Sequence, residues 1–135
     1  MKQTLCDLAK QARNNAHTPY SNFKVGAALL CSDGSIYTGC NIENASFSPT
    51  VCAERVAIFK AVSEGKRKFS AIAVCGGPIG ELNDKFCYPC GVCRQVLSEF
   101  CDKDFKIFVM SKEDVKEYTL SELLPFGFGV DNLEV

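Results

Sequence analysis

Three cysteines recur at one interval in the segment FCYPCGVCRQ, residues 86–95: Cys87, Cys90 and Cys93. A chain with such a run must either gather the sulfurs around a metal or bury them as small apolar groups. Pro89 fixes the backbone just before Cys90 and suits a helix start, from which Cys90 and Cys93 point at one ion. The chain holds nine cysteines in 135 residues, an odd number, so disulfides within the chain cannot use them all. The N-terminal stretch MKQTLCDLAKQARNNAH is polar and helix-patterned rather than a secretory leader. A reducing, cytoplasmic compartment is therefore expected, with metal ligation and buried thiols in place of disulfides.

At 47% hydrophobic, 135 residues can bury one core, and a single domain over 1–135 is expected. A formal net charge of −1 gives no general attraction for nucleic acid or an anionic membrane. No apolar run approaches the roughly 20 residues that span a bilayer. Leu5, Leu8, Ala9, Ala12 and Ala16 recur at helical spacing, and the segment HTPY is expected to stop that helix at Pro19. FKVGAALLCSDGSIYTGCNI reads as two strands around a turn at Asp33-Gly34. VCAERVAIFKAVSEG is helical, with Gly65 as its stop. SAIAVCGG is a short, wholly apolar strand of the kind found in mid-sheet with both faces covered. GVCRQVLSEFC is helical, FKIFVM a strand, and TLSELLP a short helix ended by Pro125. This order predicts an α/β fold: a mixed central sheet between helical layers, an α/β/α sandwich.

Cys52 opens one predicted helix, while Cys90 and Cys93 open another. A thiolate at a helix start faces unpaired backbone N–H groups and the positive end of the dipole, which favours ionisation and metal binding. Two such ends meeting at one ion supply three sulfurs, and a catalytic zinc keeps its fourth position for water. Glu54 stands two residues after Cys52. Alone it would simply complement the helix dipole. Beside Cys52 and a PCxxC pair, a first-turn carboxylate can fold across the helix end as capping side chains do, and serve as general base and then acid without ligating the metal.

These residues resemble the zinc-dependent nucleoside deaminases, whose pattern H-x-E…P-C-x-x-C has a three-cysteine variant. The likeness extends from CAE and PCGVC to YSNFKVGAALL, GCNIENASFSPTVCAERVAIFKAV, PCGVCRQVLSEF and ELLP, in order and over nearly the whole chain. The segments are similar to those of homotetrameric cytidine deaminases. The resemblance implies a homotetramer in which Cys52, Cys90 and Cys93 hold one Zn²⁺ per chain and Glu54 shuttles protons. It implies deamination of cytidine and deoxycytidine in pyrimidine salvage. Asn41 and Glu43 would bond the ribose hydroxyls, Phe23 would pack against the pyrimidine, and Ala53 would offer backbone polar groups to the base. In the tail LLPFGFGVDNLEV, Phe128, or Phe126 as second choice, would close a neighbouring subunit's site. Without the family, Phe23 is ordinary core packing, Asn41 and Glu43 a solvated strand end, and the tail rings a cap on their own core. The chain departs from many relatives at Phe47, where tyrosine is common, and at Val56, where threonine is frequent.

Charge counting gives Arg55 a role of its own. Three thiolates and one Zn²⁺ sum to −1, which opposes forming hydroxide; a guanidinium one turn from Cys52, donating to sulfur, offsets that charge. The plain alternative is a surface arginine paired with an acid. An iron–sulfur carrier is opposed by Leu97 and Ser98, which stand where the ferredoxin run continues with Cys-Pro. A closed four-cysteine zinc staple in a binding module, with Cys87 or Cys52 as fourth ligand, leaves Glu54 and the segment NIEN without explanation. Blasticidin-type deaminases share the metal motif, but NIEN favours a nucleoside. No basic cluster or glycine-rich phosphate loop supports a nucleotide substrate. A substrate-activating zinc also requires Cys87 to stay out of its shell. His17, the only histidine, is expected to lie at the surface or cap a helix, and Cys6, Cys31, Cys40, Cys75 and Cys101 are expected to be buried.

Overall fold

A computed structural model describes residues 1–133; Glu134 and Val135, the end of the tail segment, lie outside the described residues. Helix α1 (Lys2–Arg13) buries Leu5, Cys6, Ala9 and Arg13, a stripe repeating every three to four residues. The hairpin β1 (Phe23–Cys31) and β2 (Ile36–Cys40) follows, in register from Gly26↔Cys40 to Leu30↔Ile36. Its turn uses Gly34 at φ +91°, a conformation that costs little without a Cβ, and Asp33 accepts from Ser35 N and from Lys66 Nζ. Helix α2 (Ala53–Ser63) ends at Gly65, φ +93°. Then come β3 (Phe69–Pro78), α3 (Gly91–Phe100), β4 (Lys106–Met110), β5 (Val115–Thr119) and α4 (Leu120–Leu123). The last described element is a 3-10 turn, Val130–Leu133.

The sheet order is β2-β1-β3-β4-β5, antiparallel except for the parallel pair β3–β4, whose crossover carries α3. One face packs Ala28, Ala71, Ala73, Cys75, Phe108 and Met110 against α1. The other packs Leu29, Ile72, Val74, Ile107 and Val109 against the helical side that holds Ala57, Ile58 and Leu97. Ile72 and Val74 are fully buried in the central strand, worth roughly 1.5–3 kcal/mol each. This is the expected α/β/α sandwich, with the apolar run in its middle.

Two glycines set how closely the helices approach. A Cβ on Gly26 would stand 2.0 Å from Ala9 O, and one on Gly39 would stand 2.4 Å from Ala53 O and 2.7 Å from Ala57 N. Backbone therefore lies on backbone where α1 crosses β1 and where α2 begins over β2. Among the described residues no helix is long and apolar enough to cross a membrane.

The structure departs from expectation in four places. Helix α1 stops at Arg13, not near Pro19; beyond it the backbone of His17 bridges to the segment after β2, His17 N donating to Asn41 O and Glu43 N to His17 O. Ala16 is buried but outside the helix. Strand β5 was not expected: VKEYT is charged because it is an edge strand with one solvated side. Cys40 and Cys101 are half-buried, whereas Cys6, Cys31 and Cys75 are buried as expected.

Candidate active site at two helix starts

Cys52 and Cys90 are the N-cap residues of α2 and α3, both in extended backbone, and neither side chain caps its own helix. Their sulfurs are thereby free to project beyond the helix ends. The Sγ atoms of Cys52 and Cys90 lie 3.7 Å apart, those of Cys90 and Cys93 3.6 Å, and all three fall within 4.8 Å of one another. A disulfide would bring two sulfurs to about 2.05 Å. Three sulfurs at about 2.3 Å from a tetrahedral zinc would stand about 3.8 Å apart, so the spacing present fits that ion.

The electrostatics of the group point the same way. Hydrogen bonding from Cys93, opposed by burial and helped by Arg55 and Cys90, draws the Cys52 thiol down to about 5. Donating that bond, together with burial, pushes Cys93 strongly upward. One negative charge is accommodated easily; three require a cation. Arg55 Nη2 donates to Cys52 Sγ at 3.4 Å, and its buried Nε has no hydrogen-bond partner among the described residues. The guanidinium thus faces sulfur rather than a surface acid.

Glu54 is only 3% exposed. Burial pushes its carboxyl up to about 7; the Cys52 charge adds to the rise, while hydrogen bonding with Cys93 opposes it. A carboxyl balanced near neutrality can both take and give a proton. Ala53, between Cys52 and Glu54, is fully buried against Gly39.

Cys87 lies outside the sulfur group. Its thiol is pushed up to about 12, chiefly by burial, with the Glu54 charge adding. It sits against the sheet at Gly76, where an added Cβ would meet Cys87 Sγ at 2.8 Å and Phe23 Cε1 at 2.9 Å. Gly76 therefore makes the shelf on which the Phe23 ring lies, a function not foreseen in the segment SAIAVCGG.

Asn41 and Glu43 are held by the chain itself. Asn41 Oδ1 accepts from Val25 N at 2.8 Å and its Nδ2 donates to Phe23 O at 2.9 Å, so the side chain extends the β1–β2 ladder by one rung. Glu43 Oε1 accepts from the backbone N–H of Tyr20 and Ser21, both at 3.1 Å, and Oε2 from Ser21 Oγ. Those bonds, the Ser21 hydroxyl first, hold its carboxyl below the usual range. A cleft of about 370 Å³ opens here between Tyr20, Ser21, Glu43, Asn44, Phe47 and Thr50. Phe47 is 79% exposed on its rim.

Phe128 and Phe126 lie elsewhere. Both line a cleft of about 450 Å³ with Ser98, Cys101 and Leu124, which holds none of the groups above. Phe126, at φ +56°, is fully exposed, and Phe128 O accepts from Gln95 Nε2 at 2.9 Å. His17 is exposed, as expected, and uses its backbone rather than its ring.

One bracing residue passed unnoticed in the sequence. Arg13 is buried, its Nε donating to Lys24 O at 3.0 Å and its Nη2 reaching the carbonyls of Gly77, Pro78 and Glu81. It ties the start of β1, beside Phe23, to the end of β3 and the loop that follows it. The available signal was its position four residues after Ala9 and eight after Leu5, a charge on an apolar stripe.

Residues 1–109 match the family described as the cytidine and deoxycytidylate deaminase zinc-binding region. A cytidine deaminase of Sporosarcina psychrophila is 49% identical over 126 residues, covering 93% of this chain and 89% of that protein. Another, from Halalkalibacterium halodurans, is 48% identical over 133 residues, covering 98% and 97%. The crystal structure of a cytidine deaminase from Burkholderia pseudomallei matches with a TM-score of 0.86 at 43% identity, covering 95% of this chain and 99% of that one. The chain belongs to the cytidine and deoxycytidylate deaminase family.

Proposed function

We propose that this protein hydrolyses cytidine and deoxycytidine to uridine and deoxyuridine, releasing ammonia. The observation that carries the reading is the trio Cys52, Cys90 and Cys93 at zinc spacing, with buried Glu54 on the same helix end. Cys52, Cys90 and Cys93 would hold one Zn²⁺ per chain, and the chemistry it would supply when bound is that of a Lewis acid, lowering the pKa of water toward the neutral range. Arg55 offsets the surplus negative charge of the thiolates through its bond to Cys52.

Glu54 does the proton work. Adding water across the C4–N3 bond of the pyrimidine requires a base for the water and an acid for N3. Expelling ammonia from C4 then requires a proton on the exocyclic amine, which Glu54 takes from the new C4 hydroxyl as that group becomes the carbonyl of the product. A carboxyl near neutrality, shielded from bulk water, serves each of these steps in turn. Phe23, on its Gly76 shelf, packs against the ring, and the backbone at Ala53 meets its polar edge. Asn41 keeps one amide hydrogen, and Glu43 spare carboxylate lone pairs, for the sugar hydroxyls. Phe128, with Phe126 as second candidate, is offered to a neighbouring subunit of a homotetramer; the exposed Phe47, Phe59, Val92 and Phe126 supply apolar surface for such an assembly. The whole chain then acts as one catalytic domain in cytoplasmic pyrimidine salvage.

The test is a substrate panel followed by loss of ultraviolet absorbance, with zinc quantified on the same sample. Cytidine and deoxycytidine should both be turned over by protein carrying about one zinc per chain, and the monophosphate poorly. No turnover of either nucleoside by zinc-loaded protein would sink the reading, and a higher kcat/KM for the monophosphate would move the substrate to the nucleotides.

A further inference from the structure

Cys90 is the exposed member of the sulfur trio; Cys93 is buried and Cys52 half-buried. It is followed by Gly91, around which a Cβ would meet no atom within 4 Å, and it makes no side-chain cap to its own helix. Packing therefore does little to fix the direction of this sulfur, which depends on the two peptide groups flanking Cys90. Both are held by Arg94. Its backbone N–H donates to Cys90 O at 3.0 Å, and its Nε donates to Pro89 O at 2.8 Å. The guanidinium is held in turn at its far end, where Nη1 donates at 2.8 Å to Leu123 O, one of the open carbonyls at the end of α4.

We infer that Arg94 is a positioning residue for the metal centre: it clamps the Pro89–Cys90 turn to the end of α4 and so presets the Cys90 sulfur before zinc arrives. It touches neither sulfur nor substrate. Arginine suits the task because its planar fork serves two carbonyls in fixed directions, which a lysine ammonium does not reproduce. The inference rests on the zinc reading above, and the expected size follows from what hydrogen-bonded supports of metal ligands are worth, about 10–100-fold in metal affinity.

The test measures zinc release from the holoenzyme into a chromophoric chelator. Zinc content of the purified wild-type protein is determined first. Arg94→Met, which keeps the stem and loses the side-chain donors, should release zinc about 10–100-fold faster, and Arg94→Lys should fall between the two. Gln95→Met provides the contrast. Gln95 neighbours Arg94 on α3 and donates to Phe128 O, so this change removes a side-chain hydrogen bond from the same helix without touching the Cys90 turn or α4, and zinc should leave at the wild-type rate. Wild-type release from Arg94→Met, or release from Gln95→Met as fast as from Arg94→Met, would overturn the inference and leave the zinc reading standing. If Arg94→Met yields no soluble protein, Arg94→Lys decides, and a wild-type rate there counts against the clamp. A wild-type protein without zinc would instead remove the metal reading, and this inference with it.

Discussion

The two ends of the candidate site are built on opposite terms. At the helix starts, Cys52, Cys93 and Glu54 compete for few partners; their ionisation is displaced in both directions, and Arg55 Nε has no partner among the described residues. At the strand ends, Asn41 and Glu43 are matched by backbone groups of Phe23, Val25, Tyr20 and Ser21. The first arrangement is costly until a cation and a reacting molecule complete it. The second holds its own loops in shape and lends a ligand only its remaining hydrogens and lone pairs. Electrostatic strain thus marks where chemistry is expected, and local satisfaction marks where a substrate is oriented.

Substitutions at the two ends should separate these roles. Glu54→Ala should keep about one zinc per chain and lose about 10²–10⁴-fold in turnover, the usual worth of a general acid–base group. Metal analysis beside kcat checks this, and loss of zinc together with activity would make Glu54 a ligand or a prop. Asn41→Ala should act on stability as well as on substrate. Two part-buried hydrogen bonds at about 0.5–1.5 kcal/mol each give a loss of about 1–3 kcal/mol, visible in denaturant unfolding and accompanied by a raised KM. A raised KM with unchanged stability would show that the ladder rung contributes nothing to the fold. Cys87→Ser should change least, retaining zinc and most activity, whereas Cys90→Ser or Cys93→Ser should lose both. If Cys87→Ser strips the metal while Cys52→Ser keeps it, the zinc is a structural staple.

Much of this was legible in the sequence, for specific reasons. Cysteines at helix starts, the hairpin turn at Gly34, the helix stop at Gly65 and the apolar run of β3 are local signals, readable without knowing the fold. What escaped depends on partners distant in the chain. Arg13 looks like a basic residue at a helix end until β1, β3 and the loop after β3 bring four carbonyls to it. Gly76 becomes a shelf only once Phe23 and Cys87 lie across it. Strand β5 carries Lys116 and Glu117 in place of an apolar alternation, so its identity comes from pairing with β4 and not from its residues. Arg94 likewise stands in plain view after Cys93, but the Leu123 carbonyl that anchors it is 29 residues away.

The position of Cys87 outside the trio bears on the order of events as the chain acquires its metal. In the unfolded chain Cys87, Cys90 and Cys93 lie within seven residues and form the nearest set of three thiols. Cys52 stands 38 residues from Cys90 and reaches it only through the folded arrangement of α2 and α3 over the sheet, a non-local contact. On the zinc reading, an ion met before folding would find the three near sulfurs first, and its affinity for the unfolded chain would subtract from what it gives the folded one. Metallation and folding would then compete at first and cooperate only afterwards, and the chain would gain most from zinc by folding before meeting it.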